Sequence, residues 1–289
     1  MSASNSASPR RRLLPPAGRH LPLLTGGAIL VATVLIAVFA EQLAPSAPHA
    51  PDITLRLRPP LGAGGEWAHP LGTDELGRDV LSRLMHGARI SLLVGVVAVA
   101  LSCPLGVLIG VVAGYLGGRA DRVLMRITEV QLAIPTILLA MAVVTVLGPG
   151  VGNVIITLSV TGWTLYARLI RGETLAVRHR EFVEATRAAG ATETRVVLRH
   201  VLPNVVTPAI VVATFAVGAM IVLEATLSFL GIGVPPRVVT WGSMLNGGRL
   251  YLASAWWLSA FPGMAIFVTV LSVNLVGDYL RDRLDPRLD

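Results

Sequence analysis

A series of apolar blocks constrains this chain more than any other feature of its sequence. Each block is close to the ~20 residues that a helix needs to cross the hydrocarbon core of a bilayer. Hydrophobic residues make up 53% of the 289 residues and charged residues only 14%, whereas a soluble domain carries about 25% charged residues. The sequence therefore predicts an all-α polytopic membrane protein with about six transmembrane helices.

The apolar blocks divide the chain into tails, a loop and a helical core. Residues 1–20 form a Ser-, Pro- and Arg-rich tail, residues 44–88 a loop with five prolines before position 61, and residues 281–289 a second tail. Residues 89–280 form a five-helix core that includes an arginine-rich loop at 171–204. The six spans are predicted at residues 21–43, 89–116, 124–147 with a kink at Pro135, 153–170, 205–230 and 257–278.

The distribution of arginine predicts which loops face the cytoplasm. With an even number of spans both termini lie on one side; with that side inside, 17 of the 24 arginines fall on internal segments and seven on external ones. Positive residues accumulate on the cytoplasmic side of membrane proteins. We therefore expect cytoplasmic termini, a cytoplasmic 171–204 loop and an extracytoplasmic 44–88 loop. The net charge of +7 follows this distribution and does not indicate a nucleic-acid partner.

The residue types that are missing exclude several kinds of chemistry. All 24 basic residues are arginine, so the chain lacks both the lysine of a P-loop and the amine of Schiff-base catalysis. Cys103 is the single cysteine, which excludes an intrachain disulfide. The six histidines show no metal-ligand spacing, so we expect neither a metal nor a cofactor on this chain.

A cleaved signal peptide is the competing interpretation of residues 21–43. The uncharged stretch from Leu21 to Ala40 is longer than a signal core of about 7–15 residues, and no good cleavage site follows it. Arg11 and Arg12 resemble part of a twin-arginine export signal, but positive flanking on the inner side explains them better. These observations favour a first membrane span.

Glycines recur every fourth residue in the second apolar block, at Gly106, Gly110, Gly114 and Gly118. Residues four apart lie on one face of a helix, and small residues at this spacing let a second membrane helix approach closely. Ordinary glycine content of a membrane helix explains four in register less well. The sequence predicts a helix-packing stripe without identifying the helix that packs on it.

The internal loop has the pattern of two short helices joined by a bend. A first helix beginning near Glu181 puts three residues on one face: Phe182, Ala185 and Ala189. Gly190 follows, where a left-handed residue is expected to end the helix. Thr192 and Glu193 then cap a second helix, whose apolar stripe consists of Val196, Val197 and Val201. Pro203 marks a boundary before the fifth span.

The loop supports two physical interpretations. Small alanines and a bend suit a pair of helices that fills the groove of a cytoplasmic partner, with Glu184 paired to a basic partner residue or, inside the loop, to Arg180 or Arg187. An amphipathic hairpin lying on anionic lipid through its arginines is the alternative. The glycine bend slightly favours docking.

The same loop resembles a known signature. Glu184-Ala185-Thr186, then Gly190 and Leu202-Pro203, resembles the cytoplasmic motif of permease subunits of bacterial ATP-binding-cassette importers. His69-Pro70-Leu71-Gly72-Thr73-Asp74-Glu75-Leu76-Gly77-Arg78-Asp79 and Glu224-Ala225-Thr226-Leu227-Ser228-Phe229-Leu230-Gly231, with Trp241-Gly242 after it, are similar to segments of the dipeptide/oligopeptide/nickel subfamily. The resemblance runs from about residue 69 to the C-terminus and is closest to the second permease of that subfamily.

The resemblance implies a type I importer permease fold with two short cytoplasmic coupling helices. It implies an importer in the bacterial plasma membrane with a second homologous permease, two ATPase subunits that bind ATP and Mg, and an extracytoplasmic solute-binding protein. Contact with an ATPase is then expected from the coupling residues Glu181, Phe182, Glu184, Ala185, Thr186, Arg187, Ala189, Gly190, Leu202 and Pro203.

Three positions depart from the family pattern. Thr186 replaces an alanine, one small residue for another. His200 stands where the pattern has isoleucine, and Val201 beside it is a candidate for the apolar role. Residues 237–240 replace the usual Pro/Ser-rich stretch before Trp241, which puts inference about the substrate from that loop in doubt.

Charged residues outside the coupling loop are further candidates for function. Glu224 is the most conspicuous acid in an apolar stretch, where carboxylates are costly and often functional, but its position near the external end of span five favours a structural tie. Asp74 with Arg78, and Asp79 with Arg83, form i,i+4 pairs if their segment is helical. Such pairs usually lie on solvated surface, while the resemblance implies a gate or docking segment.

Three functions are compatible with this sequence. The leading one is a permease for di- or oligopeptides, which performs no catalysis itself because ATP hydrolysis belongs to its partners. A self-sufficient secondary transporter or channel is the alternative, but it usually shows internal repeats and midplane ionisable residues, and we find no repeat. A membrane scaffold without transport is the third, and only the resemblance argues against it.

Overall fold

The computed structural model describes residues 21–284, in which the regular secondary structure is helical and one isolated bridge pairs Thr73 with Asp79. Eleven α-helices occur in this range, and we number them α1 Leu21–Val38, α2 Ala40–Leu43, α3 Val80–Leu116, α4 Gly118–Leu132, α5 Thr136–Leu147, α6 Val151–Val177, α7 Glu181–Ala188, α8 Glu193–Val196, α9 Leu202–Phe229, α10 Trp241–Gly248 and α11 Trp257–Leu284. Three single 3-10 turns lie at Ile53–Leu55, Leu61–Ala63 and Arg249–Tyr251.

Four continuous helices of the described residues are long and apolar enough to cross a membrane: Val80–Leu116, Val151–Val177, Glu193–Phe229 and Trp257–Leu284. The bent pair α4 and α5 makes a fifth crossing if it is taken as one span, and α1 is a shorter apolar helix. The all-α membrane class is therefore confirmed. Six crossings result only when both of these less regular elements are included.

The second span begins earlier than expected, so the predicted end of the 44–88 loop is wrong. α3 starts at Val80, because the Asp79 carboxylate accepts a hydrogen bond from the Ser82 amide, 2.7 Å away, and caps the helix. Because the first turns contain charged residues, hydropathy alone does not detect this start in the sequence. Arg83, on the first turn, is buried and lies 3.4 Å from the Asp74 carboxylate, so its charge does not stop the helix from entering the protein.

The third span is broken rather than kinked. α4 and α5 meet at an angle of 91° across residues 133–135. Pro135 has no backbone N–H and disfavours a helical conformation at the residue before it, which separates the two helices. α4 is also amphipathic, with Arg119, Arg122 and Arg126 exposed on its outer face, so an apolar window centred on the span misses its start.

The predicted loop 171–204 is too long at both ends. α6 continues to Val177, and the chain is helical again from Glu193, passing through a π-helical stretch at Val197–Val201 into α9. Pro203 therefore does not end a separate second helix, because a proline on the first turn of a helix removes no intrahelical hydrogen bond. The part of the loop that lies outside these two long helices is α7 with its flanking turns.

The structure describes the first span and only part of the expected C-terminal tail. The first span is interrupted at Phe39, between α1 and α2. α11 extends to Leu284, so residues 281–284 of the expected C-terminal tail are helical. The predicted tail at residues 1–20 and the last five residues of the predicted tail at 281–289 lie outside the described residues.

Three apolar clusters hold the helices together, and α3 contributes to each of them. α3 packs along α6 over the greatest length and also contacts α9. α10 begins at a capping box, in which the Thr240 side chain accepts from the Ser243 amide and the Ser243 hydroxyl accepts from the Thr240 amide. This short helix lies against α9 and α11 at the opposite end of α9 from the α7 loop.

Candidate functional site

α7 is a short helix with one buried side chain, that of Val183. Arg180 has an extended backbone and precedes the helix, and Glu181 and Glu184 place negative charge on its first turn, where the helix dipole favours it. Val183 is fully buried in the cluster that also contains Val111 of α3 and Val177 of α6. The Val183 contact fixes which face of α7 points away from the protein.

The outward face of α7 carries the residues that the sequence places on one side of a helix. Phe182 is 40% exposed, and Ala185 and Ala189 are also exposed. The helix ends at Ala188, and Gly190 has a φ of +84°, the left-handed backbone expected from its position after the last helical turn. Phe182, Ala185 and Ala189 thus form an exposed apolar face.

An open groove of about 540 Å³ lies between α7 and the start of the following helix. One side is formed by small residues of α7 and the bend: Ala185, Thr186, Ala189, Gly190 and Ala191. The other side is basic and consists of Arg195, Arg199 and His200. A partner segment that fills this groove has to offer a narrow profile toward α7 and acceptors or negative charge toward the arginines.

The departures from the family pattern are accommodated in this geometry. The Thr186 hydroxyl donates to the Phe182 carbonyl at 2.7 Å, so no unpaired polar group results from replacing an alanine. Val201 is fully buried, and His200 points into the groove with its ring 6.5 Å from that of Phe182. Val201 therefore takes the apolar position, while His200 adds to the basic side.

The structure does not pair Glu184 within the loop. Among the described residues neither Arg180 nor Arg187 forms an ion pair with Glu184, which is exposed. Arg187 instead lies 3.6 Å from the Glu193 carboxylate and donates to the Tyr115 hydroxyl at 3.1 Å. The ion pairs of the described residues therefore leave the Glu184 carboxylate open to a partner.

The Arg187 pairing was not found from the sequence, because Tyr115 lies on α3, far away along the chain. The hydrogen bond to the Tyr115 hydroxyl is the largest cause that raises the pKa of Arg187 above its usual value. The guanidinium therefore stays charged. A basic residue at the end of α7 and an acid three residues after Gly190 are the only signals in the sequence that point to this pairing.

The Leu202-Pro203 part of the signature lies where the π-helical stretch joins α9. Val201 and Val205 on either side of it are fully buried in the same cluster as Val183. Thr192 caps the preceding α8 by accepting from the Arg195 amide. The structure thus connects the groove to α9 by continuous helix.

Three of the four stripe glycines face α6. A Cβ added to Gly110 meets the Ala167 carbonyl oxygen at 2.7 Å and Cβ of Ile170 at 2.8 Å, and one added to Gly114 meets Cβ of Thr174 at 2.7 Å. Gly106 lies in the same register against Tyr166. Gly118 does not belong to the stripe, because α3 ends at Leu116 and Gly118 begins α4 with open space around it.

Glu224 is fully buried near the C-terminal end of α9. Its carboxylate accepts from the Ser228 hydroxyl at 2.7 Å and from the Ser91 hydroxyl of α3 at 3.1 Å. Ser91 in turn accepts from the Trp241 amide at the start of α10, 3.3 Å away. This geometry supports a structural role for Glu224, in which its hydrogen bonds link α3, α9 and α10. It favours that role rather than a functional site open to solvent.

Asp74 and Arg78 pair, but not in a helix. They flank a turn in which Asp74 accepts from the amides of Leu76 and Arg78 and lies 2.7 Å from the Arg78 guanidinium. Asp74 also faces Arg83 and is buried, so the pair is not on solvated surface. The predicted Asp79–Arg83 pair does not form, because the Asp79 carboxylate caps α3 and accepts a hydrogen bond from Nδ1 of His69 at 3.0 Å.

No group of three or more His, Cys, Asp or Glu side chains in residues 21–284 is arranged to hold a metal ion. His20 lies outside the described residues.

Comparisons with known proteins place this geometry in a class. Residues 106–289 match the family model described as binding-protein-dependent transport system inner membrane component. The chain is 43% identical over 266 residues to the di/tripeptide transport system permease protein DppC of Pseudomonas aeruginosa (strain UCBPP-PA14), covering 92% of this chain and 88% of the relative. It is 42% identical over 266 residues to the glutathione transport system permease protein GsiD of Escherichia coli O6:K15:H31 (strain 536 / UPEC), covering 92% and 86%.

A solved structure has the same fold. A chain from inward-facing conformations of the MetNI methionine ABC transporter matches with a TM-score of 0.52 at 20% identity, covering 68% of this chain and 91% of that one. The likeness shows a shared fold of packed membrane helices. The chain belongs to the family of binding-protein-dependent transport system inner membrane components. The resemblance stated from its motifs is confirmed.

Proposed function

We propose that this chain is one of two permeases of an ATP-driven importer for di- or oligopeptides. It forms the translocation pathway with a second, homologous permease and takes its energy from two separate ATPase subunits that bind ATP and Mg. The observation that carries this proposal is the exposed small-residue face of α7 beside its basic groove, in a chain without a lysine for a phosphate-binding loop.

The α7 surface suits a protein partner better than lipid. Its exposed apolar residues are Phe182 and small alanines, and the bend at Gly190 makes a concave groove, whereas a lipid-lying helix presents a broad apolar face with its arginines beside it. Glu184 is exposed on the same helix without an ion pair among the described residues. An acid near the lipid headgroups is unfavourable, while an acid beside a basic residue of an ATPase is stabilised.

The surroundings of α7 suit it to transmitting movement. α7 follows α6 after three residues and is joined by its bend to the helix that continues into α9. Val183, Val196 and Val201 bury the inner side of this hairpin in one cluster. Closure of the ATPases on ATP would displace α7 as a rigid body and change the angle between spans α6 and α9. Hydrolysis is the task of the partners, and this chain performs no catalysis.

The peptide cargo rests on the relatives. The relatives described above are named for di/tripeptides and for glutathione, and a third, from Escherichia coli (strain K12), is named a probable D,D-dipeptide transport system permease protein at 40% identity. All three names denote short peptides. Selection among them falls to an extracytoplasmic solute-binding protein, and we place Asp74 and Arg78 in the segment that faces it.

The orientation follows from the arginines. The termini and α7 face the cytoplasm, and the segment from residue 44 to Asp79 faces outward. The chain lies in the plasma membrane of a bacterium, with the exposed apolar side chains of its spans available to lipid and to the second permease.

Copurification from native membranes tests the proposal. The chain is solubilised in mild detergent and captured, and the proteins that accompany it are identified by mass spectrometry. We expect an ATPase, a second permease and a solute-binding protein with the unaltered chain. Glu184→Ala should lower the recovery of the ATPase while leaving the second permease bound.

Glu41→Ala is the matched control, because Glu41 is an exposed acid at the other end of the molecule, paired with Arg89 at 3.3 Å. It should leave ATPase recovery unchanged. A chain that purifies alone, or one that takes up peptide in vesicles without an ATPase, would overturn the proposal.

A further inference from the structure

Side chains from both helices of the α7 loop converge on the last turn of α3. The Tyr115 hydroxyl accepts a hydrogen bond from Nη2 of Arg187, 3.1 Å away on the last turn of α7. The same hydroxyl donates to Oε2 of Glu193 on the first turn of α8. The Arg187 guanidinium also lies over the Tyr115 ring, 5.4 Å from its centroid. One phenol therefore holds both sides of the Gly190 bend.

Arg187 and Glu193 complete the cluster. Nε of Arg187 lies 3.6 Å from Oε2 of Glu193, so an ion pair spans the bend in addition to the two contacts with Tyr115. The Arg187 side chain is 35% exposed and that of Glu193 67% exposed. An ion pair that exposed is weak when it stands alone. Here the Tyr115 hydroxyl hydrogen-bonds to both charged groups, which gives the pairing a defined direction.

The same end of α3 is also bonded to α6. Nη1 of Arg178, the residue that follows α6, donates to the Gly114 carbonyl at 2.8 Å and to the Tyr115 carbonyl at 3.4 Å. Carbonyl groups on the last turn of a helix have no partner within the helix, so Arg178 satisfies two that α3 leaves open. The end of α3 is thus held by α6 on one side and by the loop on the other.

The apolar contacts beneath this cluster do not fix a direction. Val183 of α7 and Val196 of α8 are fully buried against Val111 of α3. Hydrophobic contact stabilises their association but is non-directional, so valines alone allow α7 to slide or rotate on the end of α3. Hydrogen bonds and the ion pair with defined geometry remove that freedom.

We infer that Tyr115, Arg187 and Glu193 form a polar joint that passes the displacement of α7 to α3. This inference rests on the proposed function, because it assumes that an ATPase moves α7. α3 is a helix of 37 residues that packs along α6 and, through Ser91, contacts Glu224 at the opposite end of the protein. The three residues of the joint position α7 and need no contact with ATP or cargo.

Tyr115→Phe tests the joint by removing one oxygen atom. The variant is placed in the complete transporter, reconstituted in vesicles with its partner permease, ATPases and binding protein. We expect full recovery of the ATPase and continued ATP hydrolysis, but roughly fivefold or greater loss of peptide imported per ATP hydrolysed, the lower range for a coupling between two sites. Tyr279→Phe is the matched control, because the Tyr279 hydroxyl also accepts from an arginine, Nε of Arg283 at 3.1 Å, on α11.

Exchanging the charges separates the joint from a direct contact with the ATPase. Arg187→Glu alone should lose coupling as Tyr115→Phe does, and the double variant Arg187→Glu with Glu193→Arg should regain at least half of it, since the ion pair and a donor and acceptor for Tyr115 return. If Arg187 instead binds the ATPase directly, the double variant stays uncoupled.

A distance measurement gives a readout that does not depend on transport. Spin labels are attached at Leu116 and Ala188, both exposed, in a Cys103→Ala background. The distribution of distances between the two labels should stay the same through the ATP cycle when Tyr115 is present. In Tyr115→Phe it should broaden with ATP. Unchanged coupling and an unchanged distance in Tyr115→Phe would overturn the joint, as would loss of the ATPase from that variant. Absence of an ATPase from the unaltered transporter would refute the proposed function instead.

Discussion

Single residues in this protein matter through buried hydrogen bonds and backbone geometry. Glu224 illustrates the first. A carboxylate within an apolar span is costly, yet both of its oxygens accept from hydroxyl groups, those of Ser228 and Ser91. Those partners lie on two different helices, and Ser91 extends the network to the amide of Trp241. The network accounts for the acid without assigning it to ion coupling.

Replacing Glu224 separates the structural role from a proton-coupling role. Glu224→Ala leaves two buried hydroxyls without their acceptor, and each such loss costs about 1–3 kcal/mol, so we expect a lower unfolding temperature in detergent. Glu224→Gln keeps one acceptor oxygen, so its unfolding temperature should lie between those of the unaltered chain and Glu224→Ala. Uptake that stays driven by ATP in Glu224→Gln supports the tie. Uptake that is lost in Glu224→Gln at unchanged stability and ATP hydrolysis would show that the carboxylate itself takes part in transport.

Gly190 illustrates the importance of backbone geometry. Its φ is +84°, and nothing lies within 4 Å of a Cβ added there, so only the backbone penalises a substitution. A left-handed conformation costs ordinary residues about 1–2 kcal/mol and is tolerated by asparagine. We expect Gly190→Val to shift the bend and reduce ATPase recovery in the copurification, while Gly190→Asn retains it. Equal recovery with both variants would mean that the bend does not determine docking.

Features encoded within a few residues were predictable at this scale. The helix stop at Gly190 follows from local sequence, because a left-handed residue is needed wherever a helix ends in that way. The pairing of Arg187 was not predictable, because Glu184 and Glu193 are both close to it in the sequence and only the packing of the loop against Tyr115 of α3 decides between them. Burial of Asp74 and Arg83 together was missed for the same reason.

At the scale of helices, the glycine stripe determines how closely α3 and α6 pack. Gly110→Ala places a Cβ 2.7 Å from the Ala167 carbonyl oxygen, and backbone atoms cannot move aside as a flexible side chain does. Forcing an extra methyl group into a packed contact costs typically about 1–3 kcal/mol. We expect Gly110→Ala to lower the apparent melting temperature and Gly110→Leu to prevent assembly with the second permease.

Gly172→Ala is the control for this stripe. Gly172 lies on α6 with nothing within 4 Å of an added Cβ, so the helix gains up to about 1 kcal/mol from the better helix former. Its melting temperature should stay the same or rise. Equal destabilisation by the two alanine variants would show that glycine is needed for some property of the helices other than close approach.

The existence of helices was easier to predict than their ends. Hydropathy found the apolar part of every span, because burial in lipid requires a long uncharged stretch. It failed where polar residues continue a helix beyond the bilayer or begin one inside the protein. α3 starts with a capping aspartate and a buried arginine, and α6 runs on to Val177 through charged residues. The break of 91° between α4 and α5 was underestimated, since Pro135 predicts a kink but not its angle.

At the scale of the whole molecule, the proposal depends on which side of the membrane α7 occupies. The arginine distribution predicts a cytoplasmic α7 and an extracytoplasmic segment between α2 and α3. The two surfaces lie at opposite ends of α3, because Tyr115 on its last turn contacts the α7 loop while Val80 on its first turn adjoins the residues around Asp74. They can therefore be labelled separately.

Single cysteines report the orientation directly. In a Cys103→Ala background, Trp67→Cys and Leu198→Cys replace residues that are 85% and 60% exposed, where substitutions usually change stability by no more than about 0.5 kcal/mol. A membrane-impermeant maleimide applied to spheroplasts should label Trp67→Cys at once and Leu198→Cys only after permeabilisation. The reverse result would put the α7 groove on the side without ATP, where no ATPase can reach it, and both the proposed coupling and the polar joint would fail together.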